Sequence, residues 1–215
     1  MTAGDDPVSR SPAVTGGGVA GLLLAAGAGR RMGGPKALLR DARGVPYLDR
    51  SVGLLLEAGC ASVTVVLGAA GDDAARLLDQ AGWTGDPQVH VVHAADWAEG
   101  MGASLRAGLT ALRQRGDADA ALVCLVDLPD VDASVVRRVL SVGGGLGDRR
   151  GALVRATYGG RPGHPVLLGR DHWAGVLGMA DGDRGARGYL AVHRPTPCEC
   201  GDLATGRDVD RPEDL

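Results

Sequence analysis

The residues best suited to chemistry crowd into one short stretch, Gly27 to Lys36, which reads G-A-G-R-R-M-G-G-P-K. Gly27, Gly29, Gly33 and Gly34 lack side chains, so backbone N–H groups can close on an anion there and positive φ is available. Arg30, Arg31 and Lys36 supply the charge. Arginine offers phosphate oxygens a planar fork, and lysine a compact point charge. Much later, Asp127 follows the apolar run Ala120 to Val126 and stands just before Pro129. A carboxylate beside phosphate-binding cations suits Mg²⁺, a hard ion that takes one or two carboxylates together with phosphate oxygens. The competing role for Asp127 is a turn or helix cap. Asp130 or Asp132 can cap the helix expected over Ser134 to Leu140, which leaves Asp127 free.

These residues need a scaffold, and the hydrophobic pattern supplies it. Val19 to Ala26 carries no charge and reads as a buried strand that feeds the glycine loop. Tyr47 to Ala58 has helical spacing, with Leu48, Val52, Leu55 and Leu56 on one face and Gly59 as the stop. Further strands are expected over Ser62 to Leu67, Gln88 to His93 and Ala120 to Val126, and further helices over Asp72 to Ala81 and Gly102 to Arg115. Continuous apolar strands separated by helices require a mostly parallel sheet covered on both faces. The fold class is therefore α/β, a three-layer α/β/α arrangement with a Rossmann-like sheet. Ligands gather outside the carboxyl ends of such strands, and both the glycine loop and Asp127 lie at that edge.

Two familiar phosphate loops do not fit the stretch. A Walker A loop needs lysine directly after its last glycine and a hydroxyl residue next, but Pro35 intervenes and Ala37 follows. The dinucleotide fingerprint needs a third glycine where this chain has Met32. What L-A-A-G-A-G-R-R-M-G-G-P-K resembles is the signature loop of the nucleotidyltransferase superfamily of the nucleotide-diphospho-sugar transferase type, and within it the MobA-like NTP transferases. Four further stretches are similar to segments of the molybdenum cofactor cytidylyltransferases, in the same order. They are Asp96 to Gly108, Tyr158 to Arg170, Gly182 to Arg187, and D-V-D-R-P-E-D-L at Asp208 to Leu215. The first departs from the family's hydroxyl residues at Gly102 and Ala103, near the expected base or pterin. Ala26 and the pair Pro35-Lys36 look like the cytidylyl branch rather than the guanylyl one.

The resemblance implies transfer of CMP from CTP to the terminal phosphate of molybdopterin cofactor, with Mg²⁺ and release of pyrophosphate. It implies catalysis by Arg31, Lys36 and Asp127, and nucleotide contacts from Leu24, Ala25, Ala26, Gly27, Gly29, Arg31, Lys36 and Ser104. It implies acceptor binding by His164, Arg184 and Arg187, and Asp210 as the second metal ligand beside Asp127, although Asp210 also suits a helix cap. On this reading 19–130 is the nucleotide-binding half and 131–215 the acceptor-binding half of one domain. A molybdenum hydroxylase or its maturation chaperone is the implied protein partner. Two alternatives stay open: a sibling transferase using GTP or another acceptor such as a sugar phosphate, and a repurposed fold serving as an oxidoreductase or cofactor-binding module.

Composition narrows the classes. The 215 residues suit one domain, and 1–18, rich in Gly, Pro, Ser and Asp, is expected to be a disordered tail. A net charge of -3 and aromatics at 3%, with no Phe, argue against nucleic acid as a partner. No charged-then-apolar leader and no apolar run of about twenty residues is present, so a cytoplasmic protein without membrane contact is expected. Cys60 and Cys124 sit in apolar surroundings, and the Cys198/Cys200 pair lacks the second pair a zinc site needs, so all four are expected in the core.

Overall fold

A strand that is apolar on both faces needs cover on both sides, and the first strand sets the layering of the whole molecule. The computed structural model describes residues 17–145 and 148–214. The chain runs β1 (Gly18–Ala25), α1 (Tyr47–Glu57), β2 (Ser62–Leu67), α2 (Gly71–Gln80), β3 (Val89–His93), α3 (Met101–Arg115) and β4 (Ala118–Leu125). It continues with α4 (Ala133–Gly145), β5 (Leu153–Tyr158), β6 (Arg161–Gly169), α5 (Arg170–Met179), α6 (Arg187–His193) and β7 (Thr196–Glu199). The seven strands form one sheet in the order β3-β2-β1-β4-β6-β5-β7. Only β6 runs against its neighbours; the pairs β1/β2, β2/β3, β1/β4 and β5/β7 are parallel.

Alternation along β1 divides the interior. Leu23 and Ala25 join an apolar cluster with Leu48, Val52 and Leu55 of α1 and Val135, Val136 and Val139 of α4. Leu22 and Leu24 join a second cluster with Leu105, Leu109 and Leu112 of α3 and Trp173 and Val176 of α5. The expected three-layer α/β architecture is thus present. Cys60, Cys124, Cys198 and Cys200 are all buried in the first cluster. No helix among the described residues is long and apolar enough to cross a membrane.

Three expectations need correction or limits. Of the expected tail 1–18, residues 1–16 lie outside the described residues, and Gly18 belongs to β1. Asp127 does not end a strand: β4 closes at Leu125, and Asp127 stands two residues on, in a turn. Strands β5 to β7 have no counterpart in the apolar pattern, because β6 contains Pro162, Gly163 and Pro165. Proline and glycine are tolerated there because the ladder opens. Arg155 pairs with Val166 and Thr157 with Pro162, so β6 spends two more residues than β5 between those pairs, and the extra length bulges out at 163–165.

The far end of that hairpin is clamped by Glu199 of β7. Its carboxylate accepts from the backbone N–H of Gly159 at 2.8 Å, Gly160 at 3.0 Å and Gly201 at 2.9 Å, and from the Thr157 hydroxyl at 2.9 Å. These donors favour the charged form and hold its pKa down to about 2. A carboxylate so depressed stabilises the fold fully above its unfolded pKa near 4.5 and loses that effect as pH falls toward about 2. Glu199→Gln is therefore expected to lower Tm at pH 7, with the gap to the parent shrinking below about pH 4.5. Thermal melts across that range test this; a gap that stays constant with pH contradicts it.

Candidate active site

The loop after β1 turns back on itself at Gly29. The Gly29 carbonyl accepts from Met32 N at 2.9 Å and Gly34 N at 3.3 Å, and Gly29 has φ +57°. A Cβ there would lie 1.9 Å from the Gly34 carbonyl oxygen, so only glycine fits. Close backbone approach is not the reason for Gly27 or Gly34, where a Cβ would meet no protein atom within 4 Å. Gly27 instead borders open space that a ligand can take. Met32, the residue that spoils the dinucleotide fingerprint, is buried in the first apolar cluster and anchors the loop.

The loop delivers Lys36 to the carboxyl edge of the sheet. Its Nζ donates to Asp127 Oδ2 and to Asp210 Oδ1, each at 2.6 Å, and Arg31 Nη1 lies 2.9 Å from Asp210 Oδ2. The four predicted residues therefore form one charge centre. The turn carrying Asp127 is held from behind by Arg50 of α1, which donates to the carbonyls of Leu128 (2.8 Å) and Pro129. Burial pushes the Asp127 carboxyl up, against the pull of the Lys36 ammonium. Burial also opposes the Lys36 charge, but its hydrogen bonds to the two carboxylates outweigh this and raise it. The hydrogen bond from Lys36 lowers Asp210. The helix-cap roles fall elsewhere. Asp132 Oδ1 accepts from the N–H of Ser134 (2.8 Å) and Val135 (3.3 Å) at the start of α4, whereas the Asp210 carboxylate is taken up by Lys36 and Arg31.

Asp208 completes the acidic set, and the expected site lacks it. Around Val209, which is 2% exposed and donates its N–H to the Asp127 carbonyl at 3.0 Å, the flanking aspartates both face the cavity. The D-V-D spacing held the signal, since alternate residues of an extended segment share a face. Asp127, Asp208 and Asp210 each bring an oxygen within 4.8 Å of the others. Asp127 Oδ1 is buried with no hydrogen-bond partner among the described residues. Three carboxylates, one with an orphaned oxygen, fit a hard divalent cation.

Above this centre lies a cavity of about 590 Å³ whose walls include every expected nucleotide contact: Leu24, Ala25, Ala26, Gly27, Gly29, Arg31, Lys36 and Ser104. Gly102 and Ala103, where the chain departs from the family pattern, do not border it. Gly102 packs on the backbone of Asp181, where a Cβ would come within 2.8 Å, and Ala103 is buried at 5% exposure. The expected acceptor residues His164, Arg184 and Arg187 meet instead on an adjoining cavity of about 210 Å³, with Arg187 and Asp208 on the shared rim. The β6 bulge presents His164, whose carbonyl accepts from the Tyr158 hydroxyl at 2.6 Å. Burial, with the nearby Arg155 and Arg187 charges, holds His164 down to about 4, so the ring is neutral at pH 7. Arg155 of β5 also borders this cavity. A lone cation inside the run A-L-V-R-A-T-Y was the available sign.

Comparison with known proteins bears on the family and the fold. A family model described as MobA-like NTP transferase domain matches residues 21–197. The chain is 36% identical to a nicotine blue oxidoreductase of Paenarthrobacter nicotinovorans, over 92% of this chain and 94% of that one. It is 29% identical to a molybdenum cofactor guanylyltransferase of Rhodobacter capsulatus, over 91% and 95%. Among solved structures, a protein of Mycobacterium tuberculosis H37Rv superposes with a TM-score of 0.70 at 26% identity, over 94% and 96% of the two chains.

Because Lys36 separates Asp127 from Asp210, its loss leaves carboxylates crowded together. Lys36→Met is expected to cost about 2 kcal/mol without metal, less than a fully buried pair because Asp210 is partly exposed. That corresponds to roughly 4–8 °C in Tm for a chain of this size. Added Mg²⁺ is expected to restore more stability to the variant than to the parent. Melts in EDTA and in Mg²⁺ test this, and an unchanged metal-free Tm contradicts the bridging role.

Proposed function

The chain belongs to the MobA-like NTP transferase domain family, and from that premise we propose that it transfers CMP from CTP to the terminal phosphate of molybdopterin cofactor, releasing pyrophosphate. The observation that carries this reading is the convergence of Arg31, Lys36, Asp127 and Asp210 beneath a cavity bordered by the glycine loop. Asp127, Asp208 and Asp210 would hold Mg²⁺, which supplies charge neutralisation at the reacting phosphate when bound. Arg31 and Lys36 trade their carboxylate partners for oxygens of the leaving pyrophosphate, where negative charge grows in the transition state. The glycine loop orients the triphosphate through its N–H groups, and the acceptor phosphate attacks the α-phosphorus in line. No general base is needed, since a phosphate dianion is already nucleophilic.

Support for a pyrimidine comes from the sequence of the loop that borders the cavity. Ala26 and Trp97 both border it, and Gly68 packs so closely behind them that a Cβ would lie 2.6 Å from Trp97 Cβ and 2.7 Å from Ala26 Cβ. Ala26 is 3% exposed with its methyl packed toward Gly68, so the pyrimidine reading rests on the resemblance of Ala26 and the pair Pro35-Lys36 to the cytidylyl branch. A second reading, an oxidoreductase on the same scaffold, draws on the 36% identity to the nicotine blue oxidoreductase. It requires that a reduced nicotinamide pass a hydride to such a dye. A hydride transfer needs no divalent cation, so the cluster Asp127, Asp208 and Asp210 speaks against it.

The test is pyrophosphate release with CTP, GTP, ATP or UTP in Mg²⁺, with and without molybdopterin cofactor, beside oxidation of reduced nicotinamide by nicotine blue. Release dependent on CTP and the cofactor, without dye reduction, is expected; dye reduction without pyrophosphate release favours the second reading. CTP is expected to bind at least about tenfold more tightly than GTP, roughly 1.4 kcal/mol, and equal affinities by calorimetry remove the cytidylyl assignment. Lys36→Ala and Arg31→Ala are expected to lower kcat far more than they raise KM. Asp127→Asn is expected to cost roughly a hundredfold or more in rate.

A further inference from the structure

We infer that the smaller cavity binds a flat ring system by an anionic edge, and that Arg155 is the residue that selects that edge. The inference deepens the transferase reading, on which it rests for the identity of the cavity as the acceptor's place. The cavity is a slot between two layers. Val123 and Leu125 of β4 with Val166 of β6 face it from the sheet, and Leu105 of α3 and Leu190 of α6 face it from the helices. At about 210 Å³ it has room for one or two fused rings, held by apolar walls.

The polar groups in that slot are lopsided. Arg155, Arg184 and Arg187 all border it, and among the described residues no carboxylate lies within salt-bridge distance of any of them. Arg155 is fixed: its Nε donates to the Gly163 carbonyl at 3.1 Å, which ties the guanidinium to the β6 bulge and to His164 beside it. Burial, and then the neighbouring Arg187 charge, lower its pKa, as expected for a cation without a counter-ion. Arg184 and Arg187 are exposed, but Arg155 is half-buried, and a half-buried cation at the wall of an apolar slot is costly unless a ligand brings the opposite charge. The guanidinium fork suits a planar carboxylate or an enolate-like ring edge. His164 stays neutral beside it and offers a hydrogen bond without adding charge. The edge at Arg155 lies on the side of the slot bounded by the bulge, while Asp208 and Arg187 mark the rim toward the nucleotide cavity. A ligand seated in this way leaves its other end free to reach the charge centre.

The probe is pterin-6-carboxylate, a fluorescent fused ring with one carboxylate, titrated into the full chain without nucleotide or divalent cation. The same ring lacking the carboxylate is the control. Saturable binding of the acid, at least about tenfold tighter than the control, is expected. Arg155→Met is expected to weaken the acid at least about tenfold, to leave the control unchanged and to leave CTP affinity unchanged. Its metal-free Tm is expected to stay level or rise, since an unpaired charge is removed. Arg155→Lys, which keeps charge but loses the fork, is expected to fall between the two and carries the test if the Met variant is unstable. Absence of saturable acid binding to the parent, equal binding of acid and control, or acid affinity within about twofold of the parent in both variants overturns the inference. None of these results depends on pyrophosphate release, so failure of the transferase reading is read separately.

Discussion

One ammonium group holds the carboxyl edge of this sheet together. Lys36 leaves the glycine loop after β1, Asp127 sits in the turn after β4, and Asp210 arrives near the end of the described chain; Nζ contacts both carboxylates at 2.6 Å. Three carboxylates within reach of one another repel unless a cation stands among them. With Lys36 in that place, the arrangement is stable yet poised to exchange partners, because phosphate and a divalent cation together satisfy the same charges. The backbone bond from Val209 to the Asp127 carbonyl and the grip of Arg50 on Leu128 and Pro129 keep the carboxylates where the ammonium can bridge them.

The rest of the fold follows from placing that bridge at a sheet edge. Parallel strands β1 and β4 are neighbours, so the segments that follow them emerge side by side. The switch of direction at β6 brings Gly163 and His164 of the bulge to a second cavity beside the first, which Leu105 of α3 and Leu190 of α6 also line. The two cavities differ in their lining: one by glycine backbone and charge, the other by apolar side chains with arginines at its margins. Gly100 and Gly102 at the head of α3 allow the segment Asp181 to Asp183 to pack against them without intervening side chains, which brings Arg184 and Arg187 to the cavity walls.

What could be read in the sequence follows the range of the interactions involved. The glycine loop, Lys36 and the apolar strands are local patterns, and the burial of β1, β2 and β4 on both faces follows from their largely apolar runs, whereas the edge strand β3 stays partly exposed. Asp127 was legible as a polar residue after such a run, and its turn, set against the metal role in the sequence, proves compatible with facing the cavity. Asp208 was hidden because D-V-D was read for Asp210 alone, as metal ligand or helix cap, rather than as alternation in an extended segment. Strands β5 to β7 were hidden because the proline and glycine that mark the bulge also mark a loop; only pairing with β4 and β5 makes β6 a strand. Gly102 appeared as a lost hydroxyl near the base and proves to be a packing requirement against Asp181. The role of Arg155 depends on the absence of a carboxylate nearby, which is a property of the assembled slot.

The account stands most directly on the claim that Asp127 and Asp210 share one cation with the nucleotide. Counting bound Mn²⁺ by the loss of its free electron paramagnetic resonance signal, in the presence of CTP, measures this without relying on turnover. At least one site per chain is predicted in the parent, weakened by at least about tenfold in Asp127→Asn and in Asp210→Asn. Undiminished Mn²⁺ binding in both variants would contradict the account.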